Sequence, residues 1–290
     1  MRHINLIFKQ LGQNQNQVFV IDNMDKNSKI ELRTGNKMPV LGLGTWQLTI
    51  DTAETVTHAL ELGYRLIDTS SDYGTQPGIG KAIKNSQIDR QSIYITTKVE
   101  ETDNAYQRTI SNLQELDLEY ADLMLIHHPP LVGAGEDLWQ GLIRAKEEGL
   151  VKDIGVSNYS IKLIEQLIKA SGEIPVVNQI EWSPFGHSDQ MLKYCLKNKI
   201  IIQAYSLLTR GKRLNDETLI QLAQKHNKTP AQILIRWNLQ LGTVPLPKAN
   251  QKKHLEENID VFDFEISDDD MKQLNNLDED YSSLGFLPYI

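Results

Sequence analysis

Four groups able to move a proton stand where apolar runs of this chain stop. Asp68 closes YRLID, Tyr73 follows it by five residues, Lys98 closes IYITTK, and His127 closes ADLMLIH. In a parallel α/β protein, ligands bind at the carboxyl ends of the strands. A free tyrosine, with a pKa near ~10, is a weak acid at neutral pH. An ammonium beside it favours the phenolate and is expected to lower that value. Asp68 would hold Lys98 charged and oriented, and His127 would hydrogen-bond a carbonyl oxygen. Such a set protonates an oxygen as hydride reaches the carbon. No side chain supplies hydride, so a nicotinamide cofactor is implied.

The elements that must position these groups alternate from residue 30 onward. IELRTGNKMPV reads as a hairpin turning at Gly35-Asn36. LGLGT (41–45) is a first strand, and DTAETVTHALELG a helix capped by Asp51 and closed by Gly63. YRLID, SIYITTK, ADLMLIH, KDIGVS, PVVNQI, IIIQAYS and TVPLP supply seven more strands. Helices are expected at 77–85, about 103–117, about 136–148, 160–171, 187–198, 216–226 and 229–240, with terminal helices at 251–258 and 267–276. Eight strand–helix units in 290 residues predict an α/β fold, a (β/α)8 TIM barrel with an N-terminal β-hairpin. A doubly wound sheet would usually show G-x-G-x-x-G after its first strand, and LGLGTW lacks the third glycine.

Bulk properties narrow the partners. Net charge is -8, which argues against nucleic-acid binding by overall electrostatics. Cys195 is the sole cysteine, so no intrachain disulfide forms, and a reducing, cytoplasmic compartment is expected. No apolar run approaches the ~20 residues of a membrane span. Residues 1–28 surround a Gln/Asn-rich stretch with two short apolar clusters and lack the features of a signal peptide. They read as a peripheral or poorly ordered extension to a domain of residues 29–290, or as an arm packed on the barrel or a partner.

At these motifs the chain resembles the aldo-keto reductases. GYRLIDTSSDYGTQPGIGKAI, IYITTKV, LMLIHHPP, GLVKDIGVSN, VNQIEWSP, AYSLLTRG and PLPKANQKKHLEENIDVFDFEIS follow the family's order and spacing over about residues 29–279. Within the family the chain is most similar to the small prokaryotic-type diketogluconate and methylglyoxal reductases. The resemblance implies a barrel without a Rossmann domain, NADPH as cofactor with NADH as an alternative, and reduction of small aldehydes or ketones by a monomer.

It also implies roles residue by residue. Tyr73 is the proton donor, Lys98 and Asp68 tune it, and His127 orients the carbonyl. Ser157, Asn158 and Gln179, placed toward the ends of two successive strands, bind the nicotinamide carboxamide, and Tyr205 stacks beneath the ring. Ser206 and Leu207 meet the pyrophosphate. Lys248, Ala249, Asn250 and His254 face the phosphate end of the adenosine, and Glu257 and Asn258 meet adenine at the start of a helix. Gly44, Thr45 and Asp68 border the cofactor, while Trp46, Tyr73, His127 and His128 face substrate. No metal is expected: adjacent on a strand, His127 and His128 should face opposite sides, with no carboxylate–histidine cluster beside them. Taken singly, most of these residues have bland explanations as core, cap or solvated charge; their collection at successive strand ends does not.

Three departures from the family pattern matter. Thr75-Gln76 replace Asn-Glu after Tyr-Gly, His128 replaces tryptophan after the catalytic histidine, and Ala249 and His254 replace a hydroxyl residue and an arginine at the 2′-phosphate. His128 predicts a more polar substrate. Short loops after the ADLMLIH and IIIQAYS strands predict a shallow pocket, with Phe286 and Tyr289 of the tail reaching over it. A competing reading keeps barrel and cofactor as a sensor or regulatory subunit with little turnover.

Overall fold

Each apolar run becomes a strand of one sheet. The structure, a computed structural model, describes residues 24–48 and 51–289. The extension expected over 1–28 therefore lies outside the described residues as far as residue 23. Residues 25–28 form a turn, with Ser28 N–H donating to Asp25 O at 3.1 Å.

The hairpin comprises β1 (Lys29–Glu31) and β2 (Lys37–Pro39), paired antiparallel. The order then runs β3 (Leu43–Gly44), α1 (Thr52–Leu62), β4 (Leu66–Asp68), α2 (Gln76–Asn85), β5 (Tyr94–Val99), α3 (Ala105–Leu116), β6 (Ala121–Ile126) and α4 (Glu136–Glu147). It continues with β7 (Val151–Ser157), α5 (Ile161–Ser171), β8 (Val177–Glu181), α6 (Asp189–Asn198) and β9 (Ile201–Tyr205). Last come α7 (Glu217–Lys225), α8 (Pro230–Gln240), β10 (Val244–Pro245), α9 (Lys252–Ile259) and α10 (Asp268–Asn275).

Strands β3 to β10 form an eight-stranded parallel sheet in sequence order. The ring closes through backbone contacts: Gly42 N–H donates to Pro245 O at 3.1 Å and Gly44 N–H to Pro247 O at 3.2 Å. Gly44 is required there, because a Cβ would sit 2.8 Å from Leu246 O. This is the expected (β/α)8 barrel with its N-terminal hairpin.

Local chemistry sets the helix ends. The Asp51 carboxylate accepts from the N–H groups of Ala53 and Glu54 at the start of α1, and Gly63, at φ 107°, ends it in the left-handed region. Thr229 and Gln232 form a capping box around Pro230 at the start of α8. Apolar side chains between sheet and helices fill the core, with Trp139, Trp182 and Trp237 fully buried.

The hairpin closes the bottom of the barrel. Met38 has no exposed surface, a burial contributing roughly 1.5–3 kcal/mol. The barrel axis is not wholly apolar. Gln203 Nε2 reaches Met38 Sδ at 3.1 Å, and Gln179 Nε2 donates to Gln203 Oε1 at 2.9 Å and to Asp68 Oδ1 at 2.7 Å. Satisfied amides thus connect the plug at the bottom to a carboxylate at the top.

Candidate active site

Tyr73 is brought back over the barrel by a sharp turn. After β4 ends at Asp68, residues Ser71–Tyr73 form one 3₁₀ turn, which Gly74 ends at φ 67°. Lys98 Nζ, fully buried on β5, donates to Asp68 Oδ1 at 3.1 Å, to Asp68 Oδ2 at 3.0 Å, to Thr69 O at 2.8 Å and to Tyr73 Oη at 3.4 Å. The four catalytic candidates do converge, but the electrostatic balance differs from the sequence expectation. Burial, and then the carboxylates of Asp68, Asp72 and Glu100, push the Tyr73 phenol well above its ordinary range. The Lys98 charge is already paired with Asp68, so the net field at the phenol is anionic. Tyr73 holds its proton throughout the neutral range.

His127 follows β6 directly. Its Nε2 lies 3.4 Å from Tyr73 Oη, and its Nδ1 lies 2.9 Å from both Glu100 oxygens. Burial raises the Glu100 carboxyl, but the His127 hydrogen bond and charge outweigh it and hold the group below its usual range. His127 and His128 do not face opposite sides. Their rings stack with centroids 4.5 Å apart, and both line the cavity. The reason is that β6 ends at Ile126, so strict alternation lapses beyond it. Burial, then the neighbouring His127, hold His128 below the usual imidazole range. His128 Nδ1 accepts from Asn158 Nδ2 at 3.1 Å. A carboxylate–histidine grouping also exists that spacing did not reveal: atoms of Asp72, Glu100 and His127 lie within 4.8 Å of one another. Residues distant in sequence meet there because the ends of β4, β5 and β6 are adjacent.

Around these groups opens a cavity of about 780 Å³. Ser157, Asn158, Gln179, Tyr205, Ser206 and Leu207 line one side, and Lys248, Ala249, Asn250, His254, Glu257 and Asn258 continue it. Gly44 and Asp68 form part of the floor. Thr45 is completely buried behind that wall, its hydroxyl donating to Asp68 O at 2.8 Å. Gln179 sits in the middle of β8 rather than at its end, and Glu257 and Asn258 occupy the last turn of α9 rather than its start. Tyr205 Oη donates to Asn158 Oδ1 at 2.7 Å, and Asn158 Nδ2 donates to His127 O at 3.0 Å. Asn158 and Ser206 hold left-handed backbone at φ 67° and 48°, conformations uncommon outside glycine.

The mouth is more enclosed than loop length suggested. Arg210 sits over the Trp46 ring at 4.9 Å and donates to Gln47 Oε1 at 3.3 Å, bridging the loops after β9 and β3. Lys248 stands exposed at the rim, and partial burial followed by the Arg210 charge holds its ammonium below the usual lysine range. Leu284, rather than Phe286 or Tyr289, is the tail residue on the cavity wall. Phe286 is exposed, and Tyr289 is buried. Buried Glu181 fixes this tail by accepting from Ser282 Oγ at 2.7 Å and Ser283 N–H at 2.8 Å. Gly186 allows the tail to pass, since a Cβ would lie 2.0 Å from Tyr281 O.

Gln76 occupies the departed glutamate position as a buried, fully engaged amide. Its Nε2 donates to Glu115 Oε2 at 2.8 Å, and its Oε1 accepts from Thr97 Oγ1 at 2.8 Å. Glu100, Asp72, Arg210 and Leu284 belong to the site without having been singled out in the sequence. Glu100 opens the run EETD, which reads as a solvated charge cluster.

Among the described residues, no helix is long and apolar enough to cross a membrane. The profile of the Aldo/keto reductase family matches residues 40–279. The chain is 40% identical over 256 residues to a methylglyoxal reductase, DkgA, of Escherichia coli (strain K12), covering 86% of this chain and 93% of that protein. It is 37% identical over 257 residues to a glyoxal reductase of Bacillus subtilis (strain 168), covering 87% and 93%. A crystal structure of a Bombyx mori aldo-keto reductase in complex with NADP superposes with a TM-score of 0.83 at 31% identity, over 90% of this chain and 95% of that one.

Proposed function

Since the chain belongs to the aldo/keto reductase family, and is an NAD(P)H-dependent oxidoreductase of it, we propose that it reduces small aldehydes and ketones with NADPH and that Tyr73 delivers the proton. The observation that carries this reading is the placement of Tyr73 Oη, 3.4 Å from both Lys98 Nζ and His127 Nε2, on the wall of the cavity.

When bound, NADPH supplies the hydride. The residues that would hold it form a graded wall. Ser157, Asn158 and Gln179 offer hydroxyl and amide groups to a carboxamide, and Tyr205 offers a ring face anchored by Asn158. Because Gln179 Nε2 already donates to Asp68 and Gln203, its Oε1 is the atom to meet a carboxamide N–H. Arg210 and Lys248 face one another as like charges, an arrangement that an anionic pyrophosphate or phosphate would stabilise. Asn250, His254, Glu257 and Asn258 extend the wall toward an adenosine.

At the reacting end the chain's own groups handle the proton. Lys98 donates to Tyr73 Oη and so stabilises the phenolate left after transfer. As charge grows on the carbonyl oxygen, that oxygen becomes a strong base, and a protonated Tyr73 beside it is the donor. His127 orients the oxygen. In this reading residues 29–290 are the catalytic barrel, residues 1–28 are an extension, and a cytoplasmic monomer acts on small carbonyl compounds without a nucleic-acid partner.

Purified protein assayed for NADPH consumption against a panel of small aldehydes and ketones tests the proposal. Turnover supports it, and NADPH binding without turnover on any member overturns it. Two finer expectations accompany that panel. His128→Trp should shift preference from polar toward aromatic aldehydes, because it removes a polar group from the pocket wall and adds a broad apolar face. An unchanged ranking would remove the assigned role. Lys248→Ala should weaken NADPH roughly 10–100-fold while sparing NADH, the scale of a charge-assisted contact. Equal weakening of both cofactors, measured by titration, would mean that Lys248 does not meet the 2′-phosphate.

A further inference from the structure

We propose that Glu100 is a positioning residue that pins one proton of His127 on Nδ1, so that only the doubly protonated ring can donate from Nε2 to a carbonyl oxygen. This rests on the carbonyl-reductase reading and adds to it a residue that the four-group set omits.

Both Glu100 oxygens stand 2.9 Å from Nδ1, and an ionised carboxylate can only accept. Ser70 Oγ is 3.4 Å from Nδ1, but it donates its proton to Glu100 Oε1 at 3.0 Å, so toward the ring it presents a lone pair. Asp72 Oδ1, 3.7 Å away, is again an acceptor. Every polar group facing Nδ1 from the turn after β4 and from the end of β5 therefore asks for a proton. A neutral ring consequently carries its single hydrogen on Nδ1 and leaves Nε2 bare.

The other side of the ring completes the consequence. Tyr73 Oη lies 3.4 Å from Nε2 and accepts from Lys98 Nζ at 3.4 Å. With Nε2 bare, the phenolic hydrogen is drawn to His127 and away from the cavity. With Nε2 protonated, the ring becomes a donor and the phenolic hydrogen is released toward substrate. His128, stacked on the ring, has its Nδ1 occupied by Asn158 Nδ2, and Asn158 also holds the His127 backbone carbonyl. Neither of these neighbours offers Nδ1 a hydrogen.

Carbonyl reduction is thus gated by protonation of His127, and Glu100 is what makes it so. With Glu100→Gln the neighbour of Nδ1 can turn its amide and donate. A neutral ring can then keep its hydrogen on Nε2 and still serve the carbonyl.

Two measurements decide the matter. The first is nitrogen NMR of protein labelled in its seven histidines, titrated to alkaline pH, with His127→Gln assigning the signal. Wild type should show the hydrogen on Nδ1 and a bare Nε2, and Glu100→Gln should move a measurable share to Nε2. The second is kcat/KM for reduction against pH. The wild type should fall about tenfold per pH unit above the ionisation of the ring, and the Gln variant should level to a plateau. A wild-type ring protonated on Nε2, or the same unlevelled fall in both proteins, overturns the proposal. Complete lack of turnover with the hydrogen on Nδ1 overturns the reductase reading, and with it the gating, while the pinned proton stands.

Discussion

Tyr73→Phe is expected to lower carbonyl turnover by about 10²–10⁴-fold, the contribution of a positioned general acid, while leaving NADPH affinity nearly unchanged. The substitution removes one oxygen and keeps the ring, including its position 4.8 Å from Lys98 Nζ. Cofactor contacts are assigned to other residues, on β7 to β10 and the segments that follow them and at Gly44, Thr45 and Asp68, so their loss is not expected. The change should fall on kcat rather than KM, because the phenolic proton matters only as charge develops on oxygen. Single-turnover kinetics with a fluorescence titration of NADPH separate the two. A variant retaining more than about a tenth of wild-type turnover would assign the proton to another donor. A parallel loss of cofactor binding would point instead to a disturbed fold.

The same geometry shows what could be read before folding and what could not. Helix limits were legible within a residue or two because their signals are local: the Asp51 cap, the glycine at 63, the Thr229-Pro230 start. Asp68, Lys98 and His127 were legible because strand ends of a parallel barrel share one face. Glu100 was not, although it stands beside His127. A carboxylate in EETD has no local signature that separates a solvated charge from a ring-holding one, and only the register of β5 against β6 brings it to the imidazole. The sense of the Tyr73 shift is not legible in the sequence for a related reason. Sequence shows an ammonium nearby, but not that its charge is already matched by Asp68 and outnumbered by Asp72 and Glu100. Arg210 carries no local signal either, because its contact with Trp46 joins loops 164 residues apart.

Lys98→Met is the second large effect, and it falls on stability as well as activity. Lys98 has no exposed surface and Asp68 is 4% exposed, so the pair lies out of water. Removing the ammonium leaves the Asp68 carboxylate with the Gln179 amide, 2.7 Å away, as its remaining side-chain donor. Breaking a buried pair in this way typically costs about 3–5 kcal/mol. A lower denaturation midpoint in urea at unchanged m would report that cost. The double change Lys98→Met with Asp68→Leu should recover much of the stability, since an apolar replacement of a buried pair is often close to neutral. Turnover should not recover with it, because Tyr73 would still lack the ammonium that stabilises its phenolate. Stability restored without activity would locate the role of the pair in the proton transfer. A single Lys98→Met protein as stable as wild type would instead show that water reaches Asp68, and that the floor of the site is not dry.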